Sequence, residues 1–157
     1  MLAKLNELEI EDLLRQQIVG RIGCHSDGVT YVVPISYAYD GQYIYARTDE
    51  GLKLEMMRRN PVVCFEVDQF NNMANWKSVV VMGGFQEITV KADRNAALDI
   101  LGKRIFPVIT SETVEQFASY PYQPQNFDEI QGTVFRIVPH VKSGRYENNG
   151  VLPTEAF

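Results

Sequence analysis

Four cations, Arg47, Lys53, Arg58 and Arg59, fall between Gly41 and Asn60 against three carboxylates, Asp49, Glu50 and Glu55. That stretch is net +1 in a chain whose 15 basic and 20 acidic residues give −5, so the remainder carries −6. A local excess of positive charge in an acidic protein is where an anionic ligand would be caught. A helix is expected from about Gly51 to Arg59, because Thr48 or Asp49 can cap its start and Pro61 keeps Asn60 out of the helical region. Lys53 then lies in the first turn, where a cation opposes the helix dipole unless an anion arrives. Arg47 ends the strand that feeds this helix. Free N–H groups, a lysine and a neighbouring guanidinium together make a phosphate site. The same run also suits a solvated helix face with i,i+4 pairs.

A flat surface adjoins these cations. Asp40-Gly41 reads as a two-residue hairpin turn. Opposed positions then pair Ala38 with Tyr43, Ser36 with Tyr45 and Pro34 with Arg47. One face of the hairpin carries the small residues Pro34, Ser36 and Ala38 with Arg47 at its end, and the other carries Val33, Ile35, Tyr37 and Ile44. A shelf of small side chains leaves room for a flat ligand. It equally suits an edge strand facing solvent, and Pro34, with no N–H to donate, belongs at an edge or a bulge.

Other chemistries lack their residues. There is no CxxC, no HExxH and no carboxylate cluster at metal spacing, and His25 and His140 are far apart, so no metal is expected. Both histidines read as surface residues near strand ends. Cys24 and Cys64 have apolar, strand-like neighbours, which suits buried thiols in a reducing compartment better than a disulfide or a nucleophile. Neither GxGxxG nor GxxxxGK[ST] occurs, so the usual cradles for dinucleotides and nucleoside triphosphates are missing. The net negative charge opposes a phosphate backbone, and nucleic acid is not an expected partner.

The elements that must position the shelf and the cations can be read from periodicity. With 157 residues, 45% hydrophobic and 22% charged, the chain is expected to form one packed domain, with its core over about 10–145 and a tail over 146–157. Residues 7–16 place Ile10, Leu13 and Leu14 on one helical face behind an Asn6/Glu9 capping box. Strands are expected near 18–25, 29–39 and 42–47, with Asp27-Gly28 as a second tight turn. Further strands span Val62 to Asp68 and Lys77 to Val90, the latter bent at Gly83-Gly84. Asp93 to Arg104 reads as a helix packing through Ala97, Leu98, Leu101 and Ile105, and Thr110 to Ala118 as a shorter one. Ser119 to Phe127 is an aromatic loop with Tyr120 and Tyr122. Thr133 to Pro139 is expected as the last strand, followed by a loose tail through Ser143-Gly144-Arg145. At least six antiparallel strands with two or three helices make an α+β class, small-barrel domain. No stretch approaches the ~20 apolar residues of a bilayer span, and the first residues lack the pattern of a secretion signal. A cytoplasmic protein without membrane contact is expected.

Read together, residues 31–68 carry "P-x-S-Y" at Pro34-Ile35-Ser36-Tyr37, "G-x-K" at Gly51-Leu52-Lys53 and "N-P-x-V" at Asn60-Pro61-Val62-Val63, followed by Trp76-Lys77-Ser78-Val79-Val80-Val81-Met82-Gly83-Gly84. In this order and spacing they resemble the FMN-binding split-barrel family, the superfamily of pyridoxamine 5′-phosphate oxidase. The likeness is nearest to the flavin-binding group that includes the 5-nitroimidazole resistance proteins, and it covers about residues 10–145.

The resemblance implies a split barrel whose homodimer holds FMN at the subunit interface. By position, Arg47, Thr48, Gly51, Leu52 and Lys53 would hold the 5′-phosphate. Pro34, Ile35, Ser36 and Tyr37 would lie along the isoalloxazine. Trp76 and Ser78 would approach from the later strand, across the dimer, and Arg145 would contact ring or substrate. Tyr37, Arg47 and Arg145 are the candidates for tuning the ring or binding an anionic substrate; no catalytic acid or base stands out. Arg47 stands where many nitroimidazole-resistance relatives have histidine, and Ser143-Gly144-Arg145-Tyr146 replaces the arginine- and histidine-bearing end of the vitamin B6 oxidases. The leading expectation is an FMN-dependent oxidoreductase passing electrons from NADH or NADPH to a small acceptor. The alternatives are a non-catalytic flavin carrier or sensor, a 5-nitroimidazole reductase or vitamin B6 phosphate oxidase, and a barrel scaffold for protein contacts.

Overall fold

The computed structural model describes residues 1–104 and 124–149. Seven strands, β1 (Leu2–Lys4), β2 (Val19–Ser26), β3 (Val29–Tyr39), β4 (Ile44–Thr48), β5 (Val62–Asn72), β6 (Asn75–Glu87) and β7 (Thr133–Asn148), alternate with three helices, α1 (Glu7–Gln16), α2 (Leu52–Arg59) and α3 (Lys91–Gly102). All strand pairs are antiparallel, in the order β1-β7-β4-β3-β2-β5-β6, and β6 also pairs with β7. Six strands therefore close into a barrel, which removes most free sheet edges.

Closure is incomplete on one side. β3 pairs with β2 from Val29 to Ser36 but with β4 only at Tyr37–Tyr39. Pro34 lies on the half of β3 that has a neighbour on one side alone, so the missing N–H forfeits no bond toward β4. The edge expectation is met in this local sense, although β3 is an interior strand of the sheet.

Inside the barrel, Ile22, Tyr37, Phe65, Val81, Phe135 and Ile137 are buried together, plugged by Leu13 and Leu14 of α1 and Leu54 and Met57 of α2. The Asn6/Glu9 capping box is formed, with both reciprocal bonds present. A second cluster lies outside the barrel wall, where Ala97, Leu98 and Leu101 of α3 cover Ala38, Tyr45 and Val134. The 3₁₀ turn Pro124–Glu129 brings half-buried Phe127 against that cluster. Ile105, the expected helix 110–118 and the aromatic loop up to residue 123 lie outside the described residues.

Three local expectations are corrected. The Asp27-Gly28 turn is a two-residue turn with φ of 52° and 75°, but the Asp40-Gly41 connection is longer. Ala38 faces Tyr45 and Tyr37 faces Ala46, a slip of two residues. The cause is the Asp40 carboxylate, whose Oδ1 accepts from the N–H groups of both Gln42 and Tyr43 at 2.8 Å and so holds four residues in the loop. An even slip keeps every side chain on its expected face. At α2 the N-cap is Gly51 with no side-chain cap, not Thr48 or Asp49. Thr48 instead donates to the Asp49 carbonyl at 3.2 Å.

β7 does not end at Pro139 in a tail; it runs 16 residues to Asn148 and is paired along its length. Pro139 is absorbed where the β6–β7 register shifts between Met82 and Gly83, a bulge that tolerates a missing donor. Gly144 is buried against Leu5, whose side-chain atoms would lie 2.8 and 2.9 Å from a Cβ at that position. β1, which its three residues give too little pattern to predict, adds to the far edge of β7.

Candidate functional site

The cations of the 41–60 stretch separate into two kinds. Arg58 and Arg59 are tied to carboxylates: Arg58 to Glu50 and Glu87, and Arg59 to Asp27 at 2.9 Å. Arg47 and Lys53 sit at the β4–α2 junction. Arg47 Nη1 donates to the Gln131 carbonyl at 2.5 Å and lies 3.6 Å from Asp49 Oδ1. Lys53, in the first turn of α2, is half-buried and makes no hydrogen bond or ion pair among the described residues. Burial holds its pKa below the usual lysine value, and the nearby Cys24 and Asp49 only partly offset this. A desolvated ammonium beside unbonded helix N–H groups is an electrostatic deficit that an anion would relieve. Around Gly51 there is space, since a Cβ added there would meet nothing within 4 Å.

The shelf is divided. Pro34 is exposed and Ser36 half-buried on the outer face of β3, while Ala38 is covered by α3. Ser36 is met by a residue that sequence spacing did not single out as a contact. Arg104, beyond the C-terminus of α3, donates to Ser36 Oγ at 2.7 Å and to the Tyr37 carbonyl at 2.6 Å. Ile35 and Tyr37 point the other way, into the core, and Tyr37 OH donates to the Leu14 carbonyl at 2.7 Å. Burial pushes the Tyr37 phenol well above its ordinary range. These two side chains are therefore turned away from a ligand on the shelf, which would meet only main chain there, with the Tyr37 N–H already donating to the Ile18 carbonyl and its carbonyl accepting from Arg104; tuning of a ring by the Tyr37 side chain is corrected.

Trp76, Ser78 and Arg145 form a separate group. Ser78 on β6 faces Arg145 on β7 and Asp68 on β5, and its hydroxyl donates to Glu66 Oε1 at 3.1 Å. Trp76 faces Phe70 and Glu147. Arg21 on β2 joins this row, bonded to Asp68 at 2.6 Å and Glu66 at 3.4 Å, and it faces Pro34 on β3. Pro34 and Ser36 share the outer face with Ser78 but are separated from it by β2 and β5. At ~4.8 Å per strand that is about 14 Å. One chain thus places Arg47 one residue beyond the Tyr37–Ala46 pair, at the Ser36 end of the shelf, with Thr48, Gly51, Leu52 and Lys53 following it through the β4–α2 junction, and leaves Trp76, Ser78 and Arg145 three strands away from the shelf.

His25 and His140 are exposed, as expected, and Cys24 is buried while Cys64 is half-buried; both thiols are free. Among the described residues no helix is long and apolar enough to cross a membrane.

Comparisons with known proteins bear on the family and the fold. Residues 6–146 match the family described as pyridoxamine 5′-phosphate oxidase. A FAD-binding protein (mll6688) of Mesorhizobium loti is 31% identical, with a TM-score of 0.72 over 94% of this chain and 99% of that one. A candidate 5-nitroimidazole antibiotic resistance protein of Bacteroides thetaiotaomicron gives a TM-score of 0.71 at 20% identity, over 93% of this chain and 87% of that one, which speaks to the fold alone. A stretch of 70 residues is 40% identical to the uncharacterized protein RA0666 of Rhizobium meliloti, and the match spans 45% of this chain and about half, 46%, of that relative. The barrel, open between β3 and β4, is the split barrel of these structures.

Proposed function

Because the chain belongs to the pyridoxamine 5′-phosphate oxidase family, we propose that it binds a flavin, with FMN as the ligand and electron transfer from NADH or NADPH to a small acceptor as the activity. The observation that carries the reading is the half-buried Lys53 ammonium, without an acid partner among the described residues, at the start of α2 beside Arg47. These cations, with Thr48 and the N–H groups near Gly51 and Leu52, suit a 5′-phosphate. Pro34 and Ser36 with the main chain of Ile35 and Tyr37 suit the flat ring, and Arg104 fixes the Ser36 hydroxyl on that side. A bound flavin supplies the redox chemistry; the chain binds and orients it.

A homodimer follows from the same reading. The outer sheet face exposes Val19, Val32, Val62, Met82 and Val141, each 46–70% accessible. They flank a groove of about 450 Å³ lined by Arg21, Cys64 and Met82 among others. An apolar face of this kind marks an interface. A second copy seated there would bring Trp76, Ser78 and Arg145 to the shelf of its partner, which one chain does not achieve.

The test is the visible spectrum of the purified protein, followed by titration with FMN and riboflavin. Preference for FMN supports the phosphate assignment, and equal affinities overturn it. FAD is the second reading, favoured by the M. loti relative described as FAD-binding. Mass analysis of the flavin released on denaturation separates the two.

A further inference from the structure

We propose that Arg58 is a positioning residue for the phosphate end, an internal counter-ion that keeps Glu50 away from Lys53 and Arg47; the inference rests on the phosphate reading above. In the last turn of α2 its guanidinium makes two forks. Nη1 and Nη2 donate to Glu50 Oε2 and Oε1 at 2.8 and 3.0 Å, and Nε and Nη2 donate to Glu87 Oε2 and Oε1 at 2.9 and 2.8 Å.

Glu50 stands immediately before the N-cap of α2, three positions after Arg47 and three before Lys53. Its carboxylate is 67% exposed. Left to itself, such a group would pair with either neighbouring cation and compete directly with a bound phosphate. Arg58 instead engages both of its oxygens, and Thr133 Oγ1 donates to Oε1 from 3.5 Å. The carboxylate that acts on Lys53 is Asp49, not Glu50.

Glu87 makes this arrangement fixed. It ends β6, it is only 30% exposed, and its hydrogen bonds from Arg58 hold its pKa below the usual carboxylate value. The guanidinium is thereby anchored to the barrel wall and cannot follow Glu50 into the site. Exposed ion pairs contribute little to stability singly, so the consequence of the double fork is placement. It removes a competing anion from the phosphate end and leaves Lys53 without an acid partner among the described residues.

The experiment is a set of FMN and riboflavin titrations on the parent, Arg58→Met, Glu50→Gln and the double variant, with Arg58→Lys as the variant to use should Arg58→Met fail to fold. Arg58→Met is expected to weaken FMN about three- to tenfold with riboflavin unchanged, and Arg58→Lys, which keeps the charge but loses the forks, to fall between. Adding Glu50→Gln should restore FMN affinity to within about twofold of the parent. A parent that prefers FMN, with Arg58→Met unchanged, overturns this inference alone. So does a double variant as weak as Arg58→Met, or parallel loss of both flavins, since these are marks of a purely structural role. A parent that binds both flavins equally overturns the phosphate reading and this inference together.

Discussion

Arg104 and Ser36, 68 positions apart in sequence, are joined by a 2.7 Å hydrogen bond from the guanidinium to the hydroxyl, with a second bond from the same nitrogen to the Tyr37 carbonyl. The end of α3 is thereby fastened to the strand that carries the shelf. Arg104→Met should remove a charge-assisted pair of bonds worth about 1–2 kcal/mol of stability, measurable by urea denaturation. On the proposed reading Ser36 lies beneath the ring and not the phosphate, so the same variant should weaken FMN and riboflavin by equal factors. A loss confined to FMN would move Arg104 to the phosphate end.

Lys53→Ala and Arg47→Ala should behave in the opposite way. Each removes a charged donor toward the phosphate, so each should weaken FMN about ten- to a hundredfold and leave riboflavin nearly unchanged. Lys91→Ala is the control, because Lys91 is 73% exposed and, among the described residues, pairs only with the exposed Asp128. Arg94 would be a poor control, as its guanidinium donates to the carbonyls of Phe127 and Ile130. Riboflavin losses matching those of FMN would place these two cations outside the phosphate contact.

The pH dependence follows from Lys53. In the free protein burial holds its pKa below the ordinary lysine value of 10.5, and a bound phosphate would raise it again. The proton is therefore held more tightly in the complex than in the free protein. FMN affinity should be full below the depressed free-protein value and should decline as pH rises through it, starting below 10.5. Riboflavin affinity should not follow. Titrations of both flavins between pH 6 and pH 10 measure the difference, and parallel curves would exclude Lys53 as the titrating group.

Gly83→Ala tests the bend of β6. A Cβ at Gly83 would lie 2.4 Å from the Val138 carbonyl oxygen, a main-chain atom, so β6 and β7 must move apart where their register shifts. A loss of about 1–3 kcal/mol is expected. Chemical denaturation measures it, and an unchanged midpoint would mean that the bulge relaxes freely.

What the sequence made legible is what local chemistry decides. The Asp27-Gly28 turn, the Asn6/Glu9 box and the face alternation of β3 each depend on residues within a few positions of one another. Asp40-Gly41 looked the same as the first turn, yet the Asp40 side chain captures two following N–H groups and lengthens the loop. β7 was hidden beyond Pro139 because proline and glycine normally end a strand. Here the bulge beside Gly83 absorbs Pro139, and Leu5 packs over Gly144. The site divides in the same way. Arg47 and Lys53 were visible from their place around a helix start, whereas Arg58 and Arg104 act on partners brought near only by the closed barrel, Glu87 at 29 positions and Ser36 at 68.

Turnover separates an oxidoreductase from a carrier. Under anaerobic conditions NADH or NADPH should bleach the bound flavin's visible absorbance, and readmitted oxygen, a quinone, a nitro-compound or free flavin should restore it through repeated cycles. Hydride transfer requires donor and acceptor atoms within about 3–3.5 Å in a near-attack arrangement. In the proposed dimer, which would seat a partner's Trp76 near Pro34 and Ser36, the outcome therefore depends on whether the face above those two residues stays open. Dithionite, being small, should bleach the flavin in either case and so serves as the positive control. Trp76→Ala distinguishes a covered face from an incompetent one: if Trp76 is the cover, the variant gains bleaching by the nicotinamides. Bleaching by dithionite alone, in the parent and in Trp76→Ala, would overturn the oxidoreductase reading in favour of a flavin carrier or sensor.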